Sequence, residues 1–202
     1  MGVIERRQRE RQERVERILK AALKVFAKKG FSDASMNEIA EEAELGKATI
    51  YYYFPSKEKL FFSLLKEETR KFYQQAYERV RAVEDLHEFV ARLMYFHLEY
   101  FQHRPELLSL FFPIGKSSPV FLKGDESFEK EAALSRKPLE EKMKSLVENS
   151  GLASEISQIM ELIWTFLIGS SVKLAQGYPV EKVKKGVETF LFFFKSCTGR
   201  IK

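Results

Sequence analysis

The chain has 202 residues, 45% of them apolar and 31% charged, and carries a formal net charge of +5. That balance is ordinary for a folded, soluble protein with one sizeable core or two small ones. The single cysteine, Cys197, excludes an intramolecular disulfide and a cysteine metal cluster, and it reads as a small buried hydrophobe. A charged N-terminus offers no secretory signal. The longest charge-free stretch in the apolar last third, residues 162–172, is too short to cross a bilayer, so no membrane association and a cytoplasmic location are expected.

In chain order, the first segment sets Arg6, Arg7, Arg9, Arg11, Arg14, Arg17 and Lys20 among Glu5, Glu10, Glu13 and Glu16. This alternation fits a solvated helix laced with ion pairs, or an arm that follows a phosphate strand or enters a minor groove. Both can hold, with Arg6, Arg7 and Arg9 as the arm. Residues 1–60 contain 13 Lys and Arg against 10 Asp and Glu, a modest basic excess at this end.

Ser35 followed by Glu38 forms a capping box, which predicts a helix over residues 36–43 with Ile39, Ala40 and Ala43 on its inner face. Glu44-Leu45-Gly46 then makes a three-residue turn in which Leu45 plugs the angle between two helices. A second helix runs from residue 47 to about residue 54, with Ile50 and Phe54 one turn apart and facing the core. Successive helical residues rotate by about 100°, so Tyr51, Tyr52 and Tyr53 cannot all be buried on that same face, and Tyr52 is the one expected outside. With Lys47, Thr49 and Lys57 nearby, an exposed tyrosine suits phosphate contacts with its ring against the sugars. The same helix pair can also be ordinary packing whose tyrosines shield a core.

This window resembles the DNA-binding domain of the TetR family of bacterial repressors. The family signature is similar to a small residue or threonine, then I-A, then A-G-V, then T-[IL]-Y-x-[HY]-F-x-[SN]-K-[ED]-x-L. The matching residues are Ser35, Ile39, Ala40, Ala43, Thr49, Ile50, Tyr51, Tyr53, Phe54, Ser56, Lys57, Glu58 and Leu60. The run of residues 18–31, ending in Gly30-Phe31, is similar to the family's first helix, and the resemblance covers about residues 15–62. Two positions depart from it. Glu44 stands where glycine is usual and costs about 1–2 kcal/mol if the turn needs a left-handed backbone there. Tyr53 stands where histidine is common and keeps a hydrogen-bonding aromatic without titration near neutral pH.

Beyond residue 60 the pattern is helical throughout. Ser56 caps a connector over residues 57–83, and further helices are expected over 85–103, 105–112, 127–149, 153–176 and 180–196. The expected fold is therefore all-α with about nine helices. Residues 1–56 form a three-helix DNA-binding domain with a helix-turn-helix, and residues 57–202 form a larger effector-binding and dimerisation domain. Of the 18 phenylalanines, 15 follow residue 60. They either fill a core or line a cavity for an apolar or amphipathic small molecule, the second being what the resemblance implies. The expected lining is Phe96, Phe101, Phe111, Phe121, Met143, Met160, Trp164 and Ile168, with Arg92, His97 and Glu99 as polar groups able to orient a head group. The apolar positions Ile156, Ile159, Met160, Ile163, Leu167 and Leu174, with Val183, Val187, Phe190, Leu191 and Phe194, form either a four-helix interface between two subunits or packing within one chain.

No nucleophile–base pair, carboxylate dyad, glycine-rich phosphate loop or metal spacing stands out, so no enzyme activity, cofactor or metal is expected. The reading is a ligand-responsive repressor that binds palindromic double-stranded operator DNA as a homodimer. Ser35, Lys47, Ala48, Thr49, Tyr51, Tyr52, Tyr53 and Lys57 are the expected DNA-binding residues. Lys47, Ala48 and Thr49 meet base edges, while the tyrosines and Lys57 hold phosphates. The alternatives are a DNA-binding protein without an effector, and an all-α small-molecule-binding protein or enzyme.

Overall fold

The computed structural model describes residues 2–112 and 126–198, and among them the chain forms nine α-helices and no strand. The first, α1, spans Val3–Asp33. Its buried residues Ile18, Ala22 and Phe26 recur every four positions and so share one face. Residues 4–14 of the same helix are exposed. Gly30, at φ 75°, interrupts the helix. Its left-handed backbone turns the chain so that Phe31 stacks on Phe26 at 5.9 Å between ring centroids.

Two short helices follow, α2 over Met36–Glu42 and α3 over Lys47–Tyr53, each ending within a residue of the expected bound. Ile39 and Ile50 are completely buried between them and α1. The long α4, Lys57–Val80, starts in this first core, where Phe61 meets Phe26 and Phe31 edge-on at 5.1 and 5.0 Å. It begins where Ser56 accepts a hydrogen bond from the Lys59 backbone N–H at 3.2 Å. Its 24 residues make a rod of about 36 Å that carries the chain into a second core.

That second core surrounds α5, Leu86–His103, which is capped by Asp85 and buries ten residues spread around its circumference. α4, α6 (Pro105–Phe111), α7 (Glu126–Asn149), α8 (Ile156–Ala175) and α9 (Val180–Thr198) all pack on it. α8 is preceded by a single 3-10 turn, Ala153–Glu155, which the sequence had merged into the helix. α6 also packs against α1, so the two cores meet along a second seam besides α4. A buried ion pair fixes the corner: Glu68 of α4, 4% exposed, lies 2.7 Å from Arg104 at the start of α6 and 3.1 Å from Lys71.

The α8–α9 stripe expected at a subunit interface is used largely inside the chain. Ile159, Ile163, Leu167, Val183, Val187 and Phe194 are buried, because α8 and α9 lay that stripe on α5 and on each other. The opposite faces instead leave Leu162, Phe192 and Phe193 exposed. Cys197 is exposed too, contrary to the buried position expected for it.

Candidate nucleic-acid interface and ligand cavity

The helix-turn-helix is set by local chemistry. The Ser35 hydroxyl accepts from the Glu38 N–H at 3.3 Å while the Glu38 carboxylate accepts from the Ser35 N–H at 3.0 Å, so two orphan donors of α2 are satisfied. Lys29 pairs with the same carboxylate. That ammonium, with the Ser35 N–H behind it, holds Glu38 below the usual carboxylate range. α2 ends in a complete Schellman motif, with the Leu45 N–H donating to the Ala40 carbonyl and the Glu44 N–H to the Glu41 carbonyl, both at 3.0 Å. The motif demands a left-handed residue at position 44, and Glu44 supplies it at φ 54°. Leu45 is packed against the core beneath the turn.

Within α3 only Ile50 is buried, and Phe54, just past its end, is buried beside it. Lys47, Ala48, Tyr51 and Tyr52 are exposed, with Tyr52 at 78%, whereas Thr49 and Tyr53 are half-buried. The Lys47 ammonium sits 5.9 Å from the centre of the Tyr51 ring, and the Tyr52 and Tyr53 rings meet edge-on at 5.2 Å. Ser35 is exposed at the start of α2. One expected residue is placed differently. Lys57 is half-buried, its ammonium donates to the Ser32 and Ala34 carbonyls at 3.0 and 2.8 Å, and it lies 4.6 Å from the Phe31 ring centre. Most of its hydrogen-bonding capacity therefore clamps the end of α1 to the start of α4 instead of standing free for a phosphate.

The arginine-rich start of α1 is a continuous helix. Arg6 pairs with Glu10 at 3.0 Å and Arg9 with Glu13 at 3.5 Å, while Arg7, Arg11, Arg14 and Arg17 have no carboxylate in ion-pair range among the described residues. Arg11 and Val15 share a crevice with Tyr53 and Phe54, which places the root of this extension beside the end of α3.

Beside the second core a cavity of about 450 Å³ opens between α4, α5, α6, α7 and α8. Four of the expected lining residues, Phe101, Phe111, Trp164 and Ile168, are on its wall. Phe96, Met143 and Met160 are not. Phe96 and Met143 are buried in solid core, Phe96 with its ring 5.6 Å from Phe72, and Met160 is half-buried against the same core. Phe121 lies outside the described residues. Of the three expected polar groups only His97 reaches the cavity; Arg92 and Glu99 are exposed and paired with Glu88 and Arg79. Sequence reasoning missed Phe72 and Tyr73 of α4, Phe112, and Phe128 and Arg136 of α7. The pair Phe72-Tyr73 inside a connector was the available signal, since two adjacent rings on a solvated rod need something to cover them.

Arg136 lies 2.5 Å from Glu140 and also hydrogen-bonds the Tyr73 phenol, whose pKa is pushed up by burial. His97 is fully buried, its Nε2 is 2.5 Å from the Ser171 hydroxyl, and burial pushes its pKa down to about 4, so it is neutral near pH 7. Its Nδ1 and the Nε1 of Trp164 are buried without a hydrogen-bond partner. Each such atom costs about 1–3 kcal/mol as it stands.

A family model described as bacterial regulatory proteins, tetR family, matches residues 18–64. The transcriptional repressor NicS of Pseudomonas putida is 37% identical over 93 residues, 46% of this chain and 44% of that protein. The transcriptional regulator RutR of Escherichia coli is 44% identical over 50 residues, 25% of this chain and 24% of that protein. The chain thus spans less than half the length of these relatives. Among solved structures, the regulator FadR from Bacillus subtilis, in complex with stearoyl-CoA, aligns with a TM-score of 0.68 at 18% identity over 87% of this chain and 96% of that one. A transcriptional regulator from Saccharomonospora viridis, in complex with choline, aligns at 0.71 with 16% identity over 89% and 96%. No helix among the described residues is long and apolar enough to cross a membrane. The capping box, the tight turn, the solvent-facing tyrosines and these matches agree: residues 18–64 are a helix-turn-helix segment of the tetR type of bacterial regulatory proteins, and the chain as a whole shares the fold of the solved regulators.

Proposed function

We propose that this protein is a cytoplasmic, non-enzymatic transcriptional repressor that binds palindromic operator DNA as a homodimer and lets go when a small molecule enters the cavity. The observation that carries the DNA half is α3, a helix with a single buried residue that keeps Lys47, Ala48, Tyr51 and Tyr52 outside. Lys47, Ala48 and Thr49, at its start, meet base edges in the major groove. Tyr51, Tyr52, Tyr53 and the N-cap Ser35 hold phosphates on either side, and Arg7, Arg11 and Arg14 extend that contact along the backbone. Lys57 supports the surface from behind.

The outer face of α8 and α9 is the subunit interface. Leu162, Phe166 and Gly169 on α8 lie next to Gly186, Phe190 and Phe193 on α9, with the Phe166 and Phe190 rings 4.5 Å apart and Gly186 against Phe166. Two such pairs make a four-helix contact in which the glycines allow close approach. Residues 1–56 act as the DNA-binding domain and residues 57–202 as the effector and dimer domain, linked by α4 and by the seam of α6 on α1. An effector between α4, α6 and α8 then has different affinities for arrangements that do and do not fit successive major grooves about 34 Å apart.

Selecting bound fragments from random duplex DNA tests this reading. The expected product is a two-fold symmetric site whose affinity falls steeply with salt. Recovery of sequences without a shared symmetric site sinks it.

A further inference from the structure

The exposed face of α3 carries a notch. Ala48 has Tyr51 and Tyr52 as its neighbours three and four residues on, so a bare methyl group is framed by two large rings. Those side chains leave the helix in directions about 100° apart and cannot both follow one wall of a groove. Each is braced on its own side: the Lys47 ammonium lies 5.9 Å from the Tyr51 ring centre, and the Tyr53 ring meets Tyr52 edge-on at 5.2 Å. Tyr51 is 42% and Tyr52 78% exposed, so neither ring belongs to the core.

Of the three residues assigned to base edges, Ala48 is the one whose side chain is given wholly to that contact. Lys47 leans on Tyr51, and its charge suits a phosphate as well as a base. Thr49 is half-buried, with its hydroxyl turned back to 3.9 Å from the place a Cβ on Gly46 would take. Ala48 is exposed and its side chain has neither donor nor acceptor, so it reads only what is apolar. In the major groove the one apolar group is the C5-methyl of thymine. A short side chain also lets the helix backbone approach that methyl, which a longer residue between the tyrosines would prevent.

We infer that base choice rests on Ala48, whose methyl packs on the C5-methyl of one thymine in each half-site, while the Tyr51 and Tyr52 hydroxyls hold phosphates of opposite strands and so centre that contact in the groove. This deepens the reading of α3 as the recognition helix and rests on it.

Titration of the full chain, at fixed salt, with the duplex recovered by selection from random DNA tests it. Replacing thymines one at a time with deoxyuridine removes only the methyl, and one position per half-site loses about fourfold in affinity. Ala48→Gly abolishes the ratio between the thymine and deoxyuridine duplexes; the ratio is taken within one protein, so any general weakening of α3 cancels. Should Ala48→Gly fail to fold, Ala48→Ser, which sets a polar atom against the methyl, shrinks the same ratio. Methylphosphonates, each neutralising one phosphate, locate the tyrosines. Tyr51→Phe and Tyr52→Phe each cost about tenfold on the plain duplex and little once the matching phosphate is neutralised, and the two matching phosphates lie on different strands. The absence of any thymine with a methyl effect, an effect that the Ala48 variants leave unmoved, or tyrosines coupled to one strand or to no phosphate overturns the inference. A symmetric site without the methyl effect keeps the repressor reading and removes this one. The methyl effect on a site lacking two-fold symmetry keeps the role of Ala48 and removes the pairing, and a chain that selects no site removes both.

Discussion

The two candidate sites are built on opposite plans. The DNA face comes from about two dozen consecutive residues, with its polar groups outside and each backbone demand met by a neighbour: Ser35 and Glu38 cap each other, and Leu45 closes on Ala40. The cavity draws on five helices separated by as many as a hundred residues, and two of its lining residues, His97 and Trp164, each bury a nitrogen without a partner behind the wall. A surface made locally tolerates change elsewhere in the chain. A cavity made by distant helices depends on how those helices cross, so perturbing each region should give different signatures.

The harshest way to separate them leaves both intact. Gly169→Arg places a long cation on the exposed outer face of α8, where a Cβ meets nothing within 4 Å, so the subunit should still fold. Loss of pairing removes the second recognition helix, and operator affinity should fall toward the nonspecific level, roughly 10³-fold or more. Sedimentation and operator titration check it; a variant that stays dimeric and binds normally rules out this face as the interface.

The contrast also explains how much could be read from the sequence. Helix type and most bounds were legible, because caps such as Ser35, Ser56 and Asp85 and breakers such as Gly30 act within a few residues. The exposure of Tyr52 followed from helix rotation alone. The cavity was half legible: bulk marked Phe101, Phe111, Trp164 and Ile168, but Phe96 and Met143 are equally bulky and face solid core. Which side of α5 or α7 meets a void depends on how helices cross, and periodicity within one helix does not contain that. For the same reason the α8–α9 stripe did not reveal that α5 would cover it. Lys57 was misjudged because carbonyls freed at the end of α1, over twenty residues away, claim its ammonium.

Acid offers a softer probe of the cavity end. His97 titrates at about 4 in the folded chain, below its ordinary 6.5, because burial disfavours the charged ring. The unfolded chain therefore takes up the proton first. This contribution to stability is complete above pH 6.5 and is lost as pH falls toward 4, reaching on the order of 3 kcal/mol. Urea unfolding followed by the fluorescence of Trp164, the chain's one tryptophan, should show that loss in the native protein and a shallower one in His97→Leu. Parallel curves for the two proteins dismiss the buried neutral imidazole.

Within the DNA-binding domain, Tyr52 and Lys57 should part company. Tyr52→Ala removes an exposed ring and should weaken binding to all duplexes without changing the unfolding midpoint. Lys57→Ala strips two carbonyls of their charged donor and should cost about 1–3 kcal/mol of stability, with any loss of DNA binding following from that. A Lys57→Ala variant of unchanged stability but flattened salt dependence returns this residue to the phosphate contacts.

The smallest effect tests whether the local plan is as self-consistent as it looks. Glu44 alone among the described non-glycine residues has a positive φ, and the Schellman bonds around it hold it there. Its side chain is exposed, so nothing in the core depends on it. Glu44→Gly removes the Cβ strain of a left-handed residue and adds back some entropy to the unfolded chain, leaving a net gain of about 1 kcal/mol. A higher unfolding midpoint with unchanged operator affinity is the expected result. If the variant is instead less stable, the carboxylate at position 44 does something the turn geometry does not account for. If stability rises while affinity drops, the strained turn itself sets the angle at which α3 meets DNA.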